Sequence, residues 1–145
     1  MDCISKLKNE LKKQLKAAYT DKEMKPTSLK ELEQAYAKDE NAYGLAVKVL
    51  DLPDPKEGRG LLKKMLISPH GLVGIEAASV LAILGFKDGL DNLLVMAQPL
   101  TNSQIEYFYV KASLLLLEEK IPKNLKGKDS VFPELTSLIR ECSGK

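Results

Sequence analysis

The sequence predicts an all-α fold, and three observations predict it. Leu, Ala, Lys and Glu, all strong helix formers, dominate the 145 residues. No run of alternating β-branched residues marks a strand. After residue 40, a unit of helix, tight turn and helix recurs three times. Apolar residues make up 44% and charged residues 29% of the chain, a balance that lets one domain of this length bury a core without disulfides or metal.

The first helix is expected over Cys3 to Tyr19, where Ile4, Leu7, Leu11, Leu15 and Tyr19 form a narrow apolar stripe at three- and four-residue spacing. Lysines cover the rest of that rod. The stripe carries no Trp or Phe, which suits a docked or capping helix better than one lying on a membrane. Residues 20–27, TDKEMKPT, read as a linker, because Pro26 blocks continuation of a helix. Ser28 and Glu31 make a capping box for a second helix, with Leu29, Leu32, Ala35 and Tyr36 on one face.

A third helix is expected around Ala42 to Leu52, ended by PDP at 53–55, and a fourth from about Glu57 to Ile67, carrying Leu61, Leu62, Met65 and Leu66. Ser68-Pro69 is a start signal, a capping hydroxyl followed by Pro in the first turn, for a fifth helix that runs to Leu84 and stops at Gly85. Asp88 is expected to cap a sixth, which buries Leu90, Leu93, Leu94 and Ala97 and ends at Pro99. Thr101 and Gln104 form a second capping box, and the seventh helix runs to about Glu119. After a basic loop, KIPKNLKGK at 120–128, Asp129 or Ser130 opens an eighth with Pro133 in its first turn and a Leu135, Leu138, Ile139 stripe.

Sliding the sequence against itself exposes the repeat. AVKVL at 46–50 lies over AASVL at 77–81, and at the same shift Lys56, Glu57 and Gly58 lie over Lys87, Asp88 and Gly89. ASVLAIL at 78–84 lies over ASLLLLE at 112–118. The predicted organisation is a single domain, 1–145, with N-terminal helices at 1–40 and helical hairpins at 41–67, 69–98 and 101–142. A hairpin of this size exposes apolar surface on both flanks, and stacking covers them. The first helix of the middle hairpin is apolar nearly all round, which predicts that it is sandwiched between neighbours.

The stretch VGIEAASVLAILGFKDGLDNLLVMA, 73–97, resembles the short HEAT-type repeat of the phycobilisome-lyase class. The matching pieces are Ala77-Ala78, Leu81, Leu84-Gly85, the charged turn Lys87-Asp88, and Leu93-Leu94. Gly74 follows Val73 where that repeat commonly carries Arg. The resemblance implies an α-α superhelix of about three HEAT-like hairpins with the N-terminal helical region covering one end. It also implies that the second helices line a concave face. Partner contact is then expected at Arg59, Lys63 and Lys64, at Asp91, Asn92 and Gln98, and at Glu134, Ser137 and Arg140, with Met96 or Tyr107 as apolar anchors.

Motifs for chemistry are missing. The single His, His70, has no CxxC or HExxH beside it, so no metal site is expected and the residue reads as an exposed helix-terminal His. No glycine cluster follows a strand, so no phosphate loop or cofactor site is expected. In IEYFYV, 105–110, helical spacing puts Ile105, Phe108, Tyr109 and Ala112 on an inward face and leaves Tyr107, with Lys111, for an exposed one. Cys3 and Cys142 lack any pairing motif and read as two reduced thiols; a bridge between them is the alternative. With no signal-like N-terminus and no long apolar run, the expected setting is cytoplasmic without a membrane span.

These readings converge on a non-enzymatic protein–protein interaction module: a dedicated inhibitor, such as a toxin-neutralising immunity protein, or an adaptor or chaperone. The reading from another class is a nucleic-acid-binding or DNA-glycosylase-like helical repeat. That reading expects a basic, aromatic groove, whereas this chain has no Trp, few Arg and a net charge of only +2.

Overall fold

The computed structural model describes residues 2–17, 28–40, 44–68, 70–96, 105–121 and 133–143. Every regular element among the described residues is helical: α1 (Cys3–Ala17), α2 (Leu29–Lys38), α3 (Leu45–Lys48), α4 (Arg59–Met65), α5 (Gly71–Ile83), α6 (Leu90–Met96), α7 (Ile105–Leu116) and α8 (Pro133–Cys142). The expected all-α class is what these residues form.

The fold is built around α5. Every residue from Val73 to Ile83 is buried, because α3, α4, α6, α7 and α1 all pack against this one helix. Each large aliphatic side chain held there contributes about 1.5–3 kcal/mol. The helix ends where expected. Gly85 takes a left-handed φ of 90°, the Phe86 N–H reaches the Leu81 carbonyl at 2.9 Å and the Gly85 N–H reaches Ala82 at 3.0 Å. That pair of bonds is a Schellman cap, which satisfies two of the carbonyls a helix end leaves open.

Gly58 and Gly89, which lie over one another when the sequence is slid against itself, are both closely packed: a Cβ on Gly58 would meet Val49, and one on Gly89 would meet Ala78. Three ion pairs join elements distant in the chain. Lys16 of α1 reaches Asp51 at 2.7 Å, Arg59 at the start of α4 reaches Asp88 at 2.7 Å, and Lys87 reaches Glu119 at 2.9 Å. Such solvent-facing pairs stabilise little by themselves.

Several boundaries differ from expectation. The third helix is only four residues of α-helix followed by a 3-10 turn, Val49–Asp51, and α4 is preceded by another, Pro55–Gly58. Pro53 and Pro55 have no N–H to donate, so the chain between them cannot sustain an α-helical ladder. The cap of α5 is not Ser68. The Leu72 N–H donates to His70 Nδ1 at 3.3 Å, while Ser68 Oγ donates to the Glu40 carbonyl at 2.6 Å and accepts the His70 N–H. His70 is therefore a half-buried capping residue and not an exposed one. Asp88 does not cap α6, because both its oxygens are taken by Arg59. The Ser28 cap forms as expected, accepting the Glu31 N–H at 3.2 Å. The expected caps at Thr101, Gln104, Asp129 and Ser130 lie outside the described residues.

α2 packs on α3 and donates the Tyr36 hydroxyl to the Lys64 carbonyl at 3.3 Å. α1 crosses α7, α8 and α5, with Leu7, Leu11 and Leu15 fully buried, and delivers Lys16 to Asp51 just after α3.

Candidate functional site

Two surfaces collect the exposed polar residues that the sequence nominated. The first is the outer face of α4 and α6. Spacing on α4 exposes Arg59, Lys63 and Lys64, while Leu61, Leu62 and Met65 face α5. On α6, Asp91 is exposed and Leu93 is buried. Asn92 is half-buried and structural: its Nδ2 donates to the Leu66 carbonyl at 2.8 Å, tying α6 to the end of α4.

That tie sets up an apolar pair that the sequence reading missed. Ile67, next after Leu66, is 85% exposed, and Val95, one turn on from Asn92, is 67% exposed. They flank the junction that Asn92 makes. Large aliphatic side chains left this open lose the burial free energy that their neighbours gain. Periodicity alone did not reveal them, because Ile67 lies past the end of α4 and Val95 sits in a helix whose other aliphatics turn inward.

Not every rim charge is available. Arg59 gives a two-pronged bond to Asp88, at 2.7 and 3.1 Å, and its guanidinium lies 4.1 Å over the Phe86 ring. The Arg59 fork holds the Asp88 carboxyl below the usual carboxylate range. Arg59 thus braces the two turns, which leaves Lys63 and Lys64 as the exposed cations of α4 that face outward with Ile67.

The second surface lies between α1 and α8. Lys6, Asn9, Glu10 and Lys13 form one wall of an open groove and Glu134, Ser137, Leu138 and Glu141 the other. Glu134 and Ser137, nominated together with α4 and α6, therefore face α1. Arg140 is exposed on the same helix.

Tyr107 must be corrected. It is fully buried, as are Phe108, Tyr109 and Val110, so it is not an exposed anchor. Lys111 is buried with it; its Nζ donates to the Tyr107 hydroxyl at 3.5 Å and lies 5.1 Å from that ring's centroid. The physical reason is packing: helical spacing gave α7 one inward and one outward face, whereas α5, α1, α6 and α8 all pack against it. Gln98 lies outside the described residues, as does the side chain of Met96.

No family model, curated protein or solved structure matches this chain. The surface chemistry therefore has to carry the functional reading.

Buried acid–base groups do exist, but they are sealed. Glu76, the charged residue of α5, is 1% exposed and accepts the Gly44 N–H at 3.2 Å. Burial pushes its carboxyl up to about 7, against the pull of the Gly44 bond and with a further push from the charge of Glu106. Burial and the same two carboxylates raise Tyr109 to about 12. A carboxylate with one hundredth of its surface open has no room for a substrate, so its role is to cap the start of α3 from inside the core. Among the described residues no three His, Cys, Asp or Glu side chains are grouped to hold a metal, and no helix is long and apolar enough to cross a membrane.

Proposed function

We propose that this chain is a non-enzymatic protein-binding module of HEAT-like construction, acting as a dedicated inhibitor of the toxin-neutralising kind or as an adaptor or chaperone. The observation that carries the reading is the exposed Ile67–Val95 pair beside Lys63, Lys64 and Asp91. Two lysines against one aspartate favour a partner that presents an apolar side chain within a rim of carboxylates. The apolar pair would serve as the anchor and the lysines would steer. The nucleic-acid reading loses ground, because Arg59, one of the few arginines, is already paired with Asp88.

The test starts from capture out of the source organism with the wild-type chain as bait, followed by mass-spectrometric identification and purification of the protein retained. That purified partner is then titrated against wild type, Ile67→Asp, Val95→Asp and a Glu134→Ala control. Roughly tenfold or greater weakening by each apolar substitution is expected, equivalent to about 1.4 kcal/mol or more, with helical circular dichroism unchanged. Binding should also weaken as salt is raised. Affinities that are equal across wild type and both Asp variants would overturn the assignment of this face.

A further inference from the structure

The structure brings together two thiols that the sequence separates by almost its whole length. Cys3 is the first residue of α1 and Cys142 the last of α8. The two helices run antiparallel: Lys6 Nζ, one turn into α1, lies 3.6 Å from Glu141, next to the end of α8, and Lys13 and Glu134 line the same groove further along. That register sets the start of α1, with Cys3, against the end of α8, with Cys142. No disulfide bond joins them, and both are half-buried, so each keeps a face toward solvent.

We propose that Cys3 and Cys142 are a disulfide-forming modification site, oxidised by exchange with a small-molecule disulfide to clasp α1 onto α8. One protein thiolate attacks a sulfur of the external disulfide, giving a mixed disulfide and releasing one small thiol. The second protein thiol gives its proton to solvent and attacks the protein sulfur of that mixed disulfide, expelling the second small thiol. Two protein thiols are oxidised to one S–S bond, and one external S–S bond is reduced to two thiols. Thiols at the adjoining ends of two packed helices are placed to close to the ~2.05 Å of a disulfide.

The site also sets the rate. Burial, and then the neighbouring Cys3, push the Cys142 thiol up to about 12. The thiolate is the attacking species, so exchange quickens as pH rises. The bond would close nearly the whole chain into one loop, the case in which a cross-link removes most freedom from the unfolded ensemble. It would also fix the end of the α1/α8 groove where Lys6 and Glu141 meet.

The test incubates the full reduced chain, at low micromolar concentration, with excess oxidised glutathione at pH 7 and pH 9. Expected are an intact mass lower by two hydrogens with no retained glutathione, faster conversion at pH 9, a peptide joining Cys3 to Cys142, and reversal by dithiothreitol. The oxidised chain should unfold about 10 °C above the reduced one. Cys3→Ser and Cys142→Ser should each stop at one glutathione adduct. Two stable adducts on wild type, a covalent dimer, or two thiols that remain open to alkylation would overturn the proposal without bearing on the Ile67 face.

Discussion

Glu118 occupies, at the end of α7, the left-handed position that Gly85 occupies at the end of α5. Its φ is 59°. The Glu119 N–H reaches the Leu114 carbonyl at 2.9 Å and the Glu118 N–H reaches Leu115 at 3.0 Å, the same two bonds that close α5 at Phe86 and Gly85. The two helices thus end in one motif, built once with the residue that suits it and once with a residue that does not.

A side chain costs about 1–2 kcal/mol in this region of backbone space, and glycine returns about 0.5–1 kcal/mol of that through its freer unfolded chain. Glu118→Gly should therefore stabilise the protein by roughly 0.5–1 kcal/mol. Gly85→Ala should destabilise it by about 1 kcal/mol. Urea unfolding of the two variants checks both signs.

Glu76 makes stability depend on pH in a particular direction. Its folded value is about 7 against an ordinary 4.5, so the folded chain holds this proton more tightly than the unfolded one. The contribution is fully present below about 4.5 and is lost as pH rises through about 7. Glu76→Gln keeps an acceptor for the Gly44 N–H and removes the titration. The variant should gain on wild type by about 2–4 kcal/mol between pH 4.5 and pH 8, since each tenfold change in proton affinity is worth about 1.36 kcal/mol. Parallel stability–pH curves for the two proteins would contradict the burial of an ionisable carboxyl at this place.

Ser79 and Ser113 are both buried, and neither hydroxyl has a hydrogen-bond partner among the described residues. They also align when α5 is laid over α7 in the sequence repeat. Removing an unsatisfied buried hydroxyl relieves its desolvation cost, so Ser79→Ala and Ser113→Ala should each stabilise by about 1 kcal/mol. Thermal unfolding of the single and double variants would also report how strongly the two sites couple.

Two glycines should respond oppositely to the same change. A Cβ on Gly89 would lie 2.6 Å from the Ala78 Cβ and 2.7 Å from its Cα, contacts that only a shift of α6 can relieve. Gly89→Ala should cost about 1–3 kcal/mol. A Cβ on Gly60, within α4, meets nothing within 4 Å. Gly60→Ala should therefore stabilise by about 0.5–1 kcal/mol through helix propensity.

Much of this fold was legible before any coordinates. The turn at Gly85, the burial of α5 on every side, the Ser28 cap and the inward stripes of α1 and α8 follow from spacing that a helix reads every three or four residues. The exposed rim of Lys63, Lys64 and Asp91 was legible for the same reason. Cap identities were less so, because Ser68 and Asp88 found partners, Glu40 and Arg59, that lie 28 and 29 residues away.

Local chemistry thus determined where helices start, stop and turn an apolar face. Tertiary packing decided what lies against each remaining face: the helices gathered round α7, where Tyr107 and Lys111 are buried; the Gly44 amide at Glu76; the end of α8 beside the start of α1; and Ile67 and Val95 left exposed. The reason is geometric. Helical periodicity is a property of neighbours in the chain, whereas the burial of a helix's second side is set by whichever distant segment docks there, and a thin Leu stripe on α1 does not encode the helix it will cross.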